Sequence, residues 1–261
     1  MILTIETLAF SLVTGIFVGI SAGYLGSLMV LEKMALVGDA LSHVALPGLA
    51  IGLSLHLSYP FLGAFVFLFA AAVIIWHLGR VTRLSFESIV GAVFTLALAI
   101  GILIIPEAEL LEALFGDITR VTLLDTVIAA AVSVVAVSLT KIIYKKLVLG
   151  MISEELAISK GINIARTNLL YLLLVSAIVA IGIKIVGTLL VGFLVIVPAA
   201  AAKNLSSDLF RYSIFSAVFG AISSFSGVLL SSYLGLPSGP LVVISGITVF
   251  TATVLARWKA K

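Results

Sequence analysis

Residues 167–204 read TNLLYLLLVSAIVAIGIKIVGTLLVGFLVIVPAAAAKN, and Lys184 is the only charged residue between Thr167 and Ala202. No water-soluble fold can bury so long an apolar run, and a bilayer span needs only about 20 mostly apolar residues. The segment therefore predicts two consecutive spans, divided near Gly187. Working outward, eight-to-ten-span arrangements all fit, and nine is the central reading: 8–30, 35–55, 60–79, 86–105, 124–144, 167–186, 187–204, 211–234 and 239–257. The divisions at Gly187 and around 35–55 are the softest. The runs are continuous rather than alternating, which argues for helices and against a barrel. The composition agrees. Of 261 residues, 62% are apolar and 10% charged, where a soluble domain has about half and about a quarter. A soluble enzyme, a nucleic-acid module and a disordered chain are excluded. The expectation is an all-α integral membrane protein, a polytopic helical bundle forming one domain over residues 1–261.

Charge sets the expected orientation. With nine spans and the C-terminus inside, Lys33, Arg80, Arg83, Lys141, Lys145, Lys146, Lys160, Arg166, Lys203, Arg211, Arg257, Lys259 and Lys261 fall on the inner side, and only Arg120 and Lys184 on the outer. Basic loops favour the cytoplasm, so the N-terminus is expected outside. Glu6 and the lack of a basic leader make the first apolar run a retained span rather than a signal peptide. With no cysteine in the chain, thiolate metal sites and Cys nucleophiles are excluded.

Ionisable groups inside apolar spans are candidates for function. In GDALSHVALPG, residues 38–48, Asp39 and His43 are four apart. On a helix they share a face, Cβ atoms about 5–6 Å apart, and carboxylate plus imidazole suits a first-row divalent metal. The alternative is a structural polar pair. Pro47 cannot donate to the His43 carbonyl, so a kink or a freed oxygen is expected there, and Gly38 and Gly48 permit close backbone approach. One Asp and one His make an incomplete shell. Two copies of the helix meeting on a twofold axis would complete it, which places Ala40 and Val44 at a dimer interface.

The other polar positions read more simply. His56 and His77 are expected at solvated boundaries, and Lys184 is expected to snorkel outward. The outer island, 106–123, continues with Asp125. It carries Glu107, Glu109, Glu112, Asp117 and Asp125 against Arg120, with Leu110, Leu111, Leu114 and Phe115 on one helical face. It is either a solvated rim or a surface attracting cations or a partner. The inner island, 145–166, predicts a short helix over 154–160: Ser153 as N-cap, Glu154 and Glu155 in the first turn, Gly161 after the last. Ser238 reads as a turn residue. No P-loop and no H-E-x-x-H motif occurs.

The stretch SLMVLEKMALVGDALSHVALPGLAIG, residues 27–52, resembles the permease subunit of zinc/manganese ABC importers. ALFGDITRVT (113–122), SEELAISKGI (153–162), KIVGTLLVGFLVIVPAAAAKNLS (184–206) and LPSGPLVVISG (236–246) resemble the same family in the same order. The likeness runs from about residue 12 to about residue 255. It implies a multi-pass permease of the cell membrane, itself not an enzyme, with Zn²⁺ or Mn²⁺ as transported substrate and no tightly bound cofactor. It implies partners: a second permease subunit, two cytoplasmic ATP-binding subunits and an extracellular or periplasmic metal-binding protein, with no nucleic acid. Asp39 and His43 match the family residues implicated on the metal pathway. Residues 153–161 match its cytoplasmic coupling helix, with Glu154, Glu155, Ala157 and Gly161 as ATPase-coupling positions. Pro47, Gly48, Gly187 and Pro198 match kink and packing positions. Rival readings are a metal-chelate permease, an ion-gradient-driven carrier and an intramembrane hydrolase using His43 with a serine. The last has no support in the spacing.

Overall fold

The computed structural model describes residues 5–55, 61–104, 114–117, 121–188 and 191–259. In chain order its helices are α1 (Ile5–Leu31), α2 (Ala35–Ser54), α3 (Phe61–Val81), α4 (Phe86–Ile104), α5 (Leu123–Ile152), α6 (Glu154–Ser159), α7 (Ile164–Val186), α8 (Val191–Leu205), α9 (Leu209–Leu234) and α10 (Ser238–Lys259). No strand occurs among the described residues. This is the outcome a bilayer requires, because a helix satisfies its own backbone where no water can.

Seven of these helices, α1, α3, α4, α5, α7, α9 and α10, are long and apolar enough to cross a membrane. These seven, among the described residues, compare with the nine apolar stretches read from the sequence. The two remaining apolar stretches, Val37–Gly52 and Val191–Leu205, are shorter. The break near Gly187 is real, but the helix after it begins only at Val191. At 15 residues and about 1.5 Å per residue, α8 covers less than the roughly 30 Å hydrocarbon core. Its first residue packs on Gly182 beside Val18, halfway along α1, so α8 starts inside the bundle. The span expected to end at 144 instead continues as helix to Ile152, taking Lys145 and Lys146 with it.

The central pair is α1 against α9. Gly15, Gly19 and Gly23 recur at every fourth position on α1, the small-residue pattern that lets membrane helices touch backbone to backbone. A Cβ at Gly19 would stand 2.7 Å from the Gly220 carbonyl carbon, and one at Gly23 2.8 Å from that of Ser216. Hydroxyls tie α1 to α5 at matching heptad steps: Thr14 Oγ1 donates to Thr126 Oγ1 at 2.9 Å, and the Ser21 and Ser133 hydroxyls lie 3.1 Å apart. Each such bond adds about 0.6 kcal/mol in a membrane, so the glycine contact is the larger constraint.

Gly91 supplies the contrast, since nothing lies within 4 Å of a Cβ there. Gly220→Val is expected to lower the stability of the detergent-solubilised protein by about 3 kcal/mol or more, whereas Gly91→Ala should raise it by about 0.5–1 kcal/mol. Thermal unfolding of both variants checks this, and equal midpoints would show that the α1–α9 contact is not tight.

Candidate functional site

The candidate site begins at the turn joining α1 to α2. The Met34 N–H donates to the Met29 carbonyl at 2.9 Å and the Lys33 N–H to that of Val30 at 3.4 Å, with Lys33 left-handed at φ 60. This is a Schellman closure with a lysine where glycine is usual, and it fixes the angle at which α2 leaves. Helix α2 then runs through the interior, packed by α3, α4, α7 and α8. Gly48 and Gly63 bring α2 and α3 into backbone contact, and Gly101 of α4 sits on Leu46 and Pro47. The helix continues past Pro47 to Ser54 and is not broken there. Pro198 is likewise held inside α8. The expectation that Ala40 and Val44 face a second copy is corrected: they are 8% and 3% exposed within this one chain, because neighbouring helices already cover that face.

Asp39 lies against the first turn of α8. A Cβ at Gly192 would be 2.5 Å from the Asp39 Cα and 2.9 Å from its Oδ1, so only glycine fits beside that carboxylate. Asp39 also lines a pocket of about 180 Å³ between α2 and α4, shared with Lys33, Glu87 and Phe94. His43, one turn further on, is 9% exposed. Its ring meets Phe94 edge-on, centroids 5.2 Å apart. The His43 Nδ1 is buried and has no hydrogen-bond partner, and no hydrogen bond or ion pair joins His43 to Asp39. The two are therefore not a closed structural pair. An orphaned buried nitrogen costs about 1–3 kcal/mol, and here it lies one turn from a half-buried carboxylate.

Within the basic segment 145–166, α6 forms as expected. The Ser153 hydroxyl accepts from the Leu156 N–H at 3.2 Å, and Gly161 at φ 73 closes the helix, with its own N–H on Ile158 and that of Ile162 on Ala157. Lys160 caps the helix rather than extending it. Glu154, Glu155 and Gly161 are exposed, but Ala157 is fully buried against this chain, and Leu156 and Ile158 project instead. Ala157 is thus a packing residue, correcting its reading as a contact position.

Lys184 does not snorkel freely. Its Nζ contacts Asp125 Oδ2 at 2.5 Å, and Asp125 also completes a capping box with Thr122 at the start of α5. Asp125 therefore belongs to a helix-joining ion pair, not a solvated rim. Gly187, at φ 83, packs against the Leu114 carbonyl and lies where a Cβ would be 2.6 Å from the Gly116 nitrogen. His77 is exposed, and Ser238 is a buried first residue of α10 rather than a turn. His56, Glu107, Glu109, Leu110, Leu111, Glu112 and Arg120 lie outside the described residues.

Two residues of the region, Phe94 and Glu32, were not singled out from the sequence, whereas Gly192 is one of the packing glycines of the Gly187–Pro198 stretch and gains its place beside Asp39 from the fold. Phe94 carries no local signal, since its role depends on which helix it meets. Glu32 carried one, a carboxylate immediately after a long apolar helix. It lines a cavity of about 370 Å³ together with Trp76, Arg80, Glu154, Asn168 and Tyr171. Burial pushes its carboxyl up from 4.5 to about 7.

Residues 4–257 match the ABC 3 transport family. The manganese transport system membrane protein MntC of Listeria monocytogenes is 31% identical over 92% of this chain and 87% of its own length. The high-affinity zinc uptake system membrane protein ZnuB of Buchnera aphidicola subsp. Baizongia pistaciae is 30% identical over 97% and 98%. Among solved structures, PsaBC from Streptococcus pneumoniae in complex with Fab superposes with a TM-score of 0.84, at 30% identity, over 96% of this chain and 91% of that one. The chain belongs to the ABC 3 transport family, and with its seven apolar helices it is a multi-pass membrane permease.

The Glu32 shift has a signed consequence. The folded protein holds this proton more tightly than the unfolded chain, so the stabilisation is complete below pH 4.5 and is lost as pH rises through about 7. Glu32→Gln does not titrate. Its stability relative to wild type is expected to rise with pH, by up to about 3 kcal/mol well above neutrality. Unfolding midpoints of the two proteins across that range measure it, and a pH-independent difference would contradict it.

Proposed function

We propose that this chain is the permease subunit of an ABC importer that carries Mn²⁺ or Zn²⁺ into the cell. The observation that carries the reading is the unpartnered, buried His43 Nδ1 one helical turn from Asp39, in an interior helix of a permease whose relatives are named for manganese and zinc transport. A carboxylate and a neutral imidazole suit both ions. Two ligands leave the shell open, with water or backbone oxygens supplying the rest. An incomplete shell fits transport, which requires the ion to leave.

In this reading residues 1–261 form one permease unit, with the N-terminus outside and the C-terminus in the cytoplasm. A metal-binding protein delivers the ion from outside. Asp39 and His43 hold it transiently. ATP binding by two partner subunits moves the helix near 153–161, with Glu154, Glu155 and Gly161 and the projecting Leu156 and Ile158 toward the ATPase. The pathway then opens inward by alternating access. ATP hydrolysis belongs to the partner chains, and the metal is substrate rather than resident cofactor. The pocket beside Asp39, about 180 Å³, suits a bare or partly hydrated ion. It is small for the roughly 300–1,000 Å³ of an organic-ligand site, which counts against a metal-chelate cargo.

Uptake of Mn²⁺ and Zn²⁺ in cells expressing the complete transporter tests the reading. Asp39→Asn and His43→Gln are each expected to reduce accumulation of the transported metal by about tenfold or more with normal amounts of protein in the membrane. Unchanged uptake in both variants would make the pair structural and overturn the assignment.

A further inference from the structure

The cavity beside Glu32 holds two opposite charges that do not meet. Glu32, the residue after α1, donates its N–H to the Leu28 carbonyl at 2.9 Å, and its carboxylate has no hydrogen bond or ion pair among the described residues. Arg80, in the last turn of α3, lies over the Trp76 ring with its guanidinium carbon 4.9 Å from the centroid. Trp76 is itself held, its indole N–H donating to the Ala165 carbonyl at 2.7 Å. Arg80, on a long flexible stem, is the partner free to swing. The cavity between them, about 370 Å³, has room for about ten waters.

We propose that Glu32 and Arg80 are the two halves of an inner charge latch, open here, that closes when α6 moves and thereby repositions the helix carrying Asp39. The proposal rests on the importer reading and adds to it a pair of positioning residues. Three elements contribute charged or titratable groups to the cavity besides Glu32: α3 gives Arg80, α6 gives Glu154, and α7 gives Tyr171. Tyr171 is engaged, its hydroxyl donating to the Leu25 carbonyl at 2.6 Å. Lys33, from the same turn as Glu32, lines the Asp39 pocket instead. Glu154 is thus the one competing carboxylate for Arg80, and it is the first residue of α6. Displacing α6 withdraws Glu154 and leaves Glu32 as the cation's only anionic partner in the cavity. A half-buried carboxylate without a counter-ion gains from pairing.

The route to the metal residues is short and stiff. Glu32 is followed by the closed turn at Lys33 and Met34, which is hydrogen-bonded back to α1. Met34 lines both cavities, and Asp39 lies one and a half turns further along α2. Tying Glu32 to the end of α3 therefore acts on the first turns of α2, where Asp39 abuts α8 and shares a pocket with Glu87.

The chain has no cysteine, so an introduced pair reports proximity without background. In vesicles holding the full transporter, Glu32→Cys with Arg80→Cys is expected to cross-link with a short thiol-specific reagent in the ATP-bound state and much less without nucleotide. Equal cross-linking in both states overturns the proposal. Glu32→Gln and Arg80→Gln should each cut Mn²⁺ or Zn²⁺ uptake by about tenfold, and the exchanged pair Glu32→Arg with Arg80→Glu should recover it to within about twofold of wild type. A merely structural role predicts that the exchange is no better than the single variants, and that result also overturns the latch. If the importer reading itself fails, wild-type uptake of both metals is absent while the cross-linking comparison still decides whether the latch closes.

Discussion

Helix backbones touching at glycines is the constraint from which the rest of this structure follows. In a bilayer no hydrophobic force distinguishes a helix neighbour from lipid, so contact must come from close packing and from the few hydrogen bonds that helices can exchange. Gly19 on Gly220, Gly26 on Val195, Gly48 on Gly63 and Gly192 on Asp39 are each places where a side chain would strike main-chain atoms. Together they draw α1, α2, α3, α8 and α9 into a core denser than apolar side chains alone would give.

That density has two consequences for the site. It encloses α2 within a single chain, so His43 is buried and Asp39 half-buried among helices of the same chain. It also admits the start of a short helix halfway through the bundle. The first turn of α8 lies directly beside the Asp39 carboxylate. A helix N-terminus carries partial positive charge, which favours an anion there. His43 has the opposite situation, a buried nitrogen that the fold leaves unanswered. A carboxylate supported by its surroundings next to an imidazole lacking a partner is an arrangement that an incoming cation can complete.

The end of the bundle where α1 meets α2 is organised by charge rather than by glycine. The α1–α2 turn, the end of α3 and the beginning of α6 converge on one cavity whose acid and base do not meet. The short α6 is well capped at both ends but keeps only Ala157 inward, so it is stiff in itself and lightly attached to the bundle. The stiff turn at Lys33 connects the same cavity to Asp39. The loops around that cavity and the Asp39 region are therefore adjacent in space although they read as separate features along the chain.

Much was legible in the amino-acid order itself. Membrane residence, helices rather than strands, the break at Gly187, the capped helix after Ser153 and the Asp39/His43 spacing all depend on apolar run length or on neighbours within a few residues, and these are local quantities. Even the α1 glycine repeat stands in the sequence, although its partner on α9 does not. Other features were decided only when distant segments met. Whether α8 spans the membrane depends on where Val191 lands relative to Val18. That Ala40 and Val44 are covered depends on α3, α4, α7 and α8 closing around α2. Lys184 is an ion-pair member rather than a snorkelling cation because the start of α5 places Asp125 beside it. Ala157 turns inward because the bundle lies on that side of α6. Each of these is a relation between residues tens to hundreds of positions apart, set by which backbones can approach, and no periodicity within one helix encodes it.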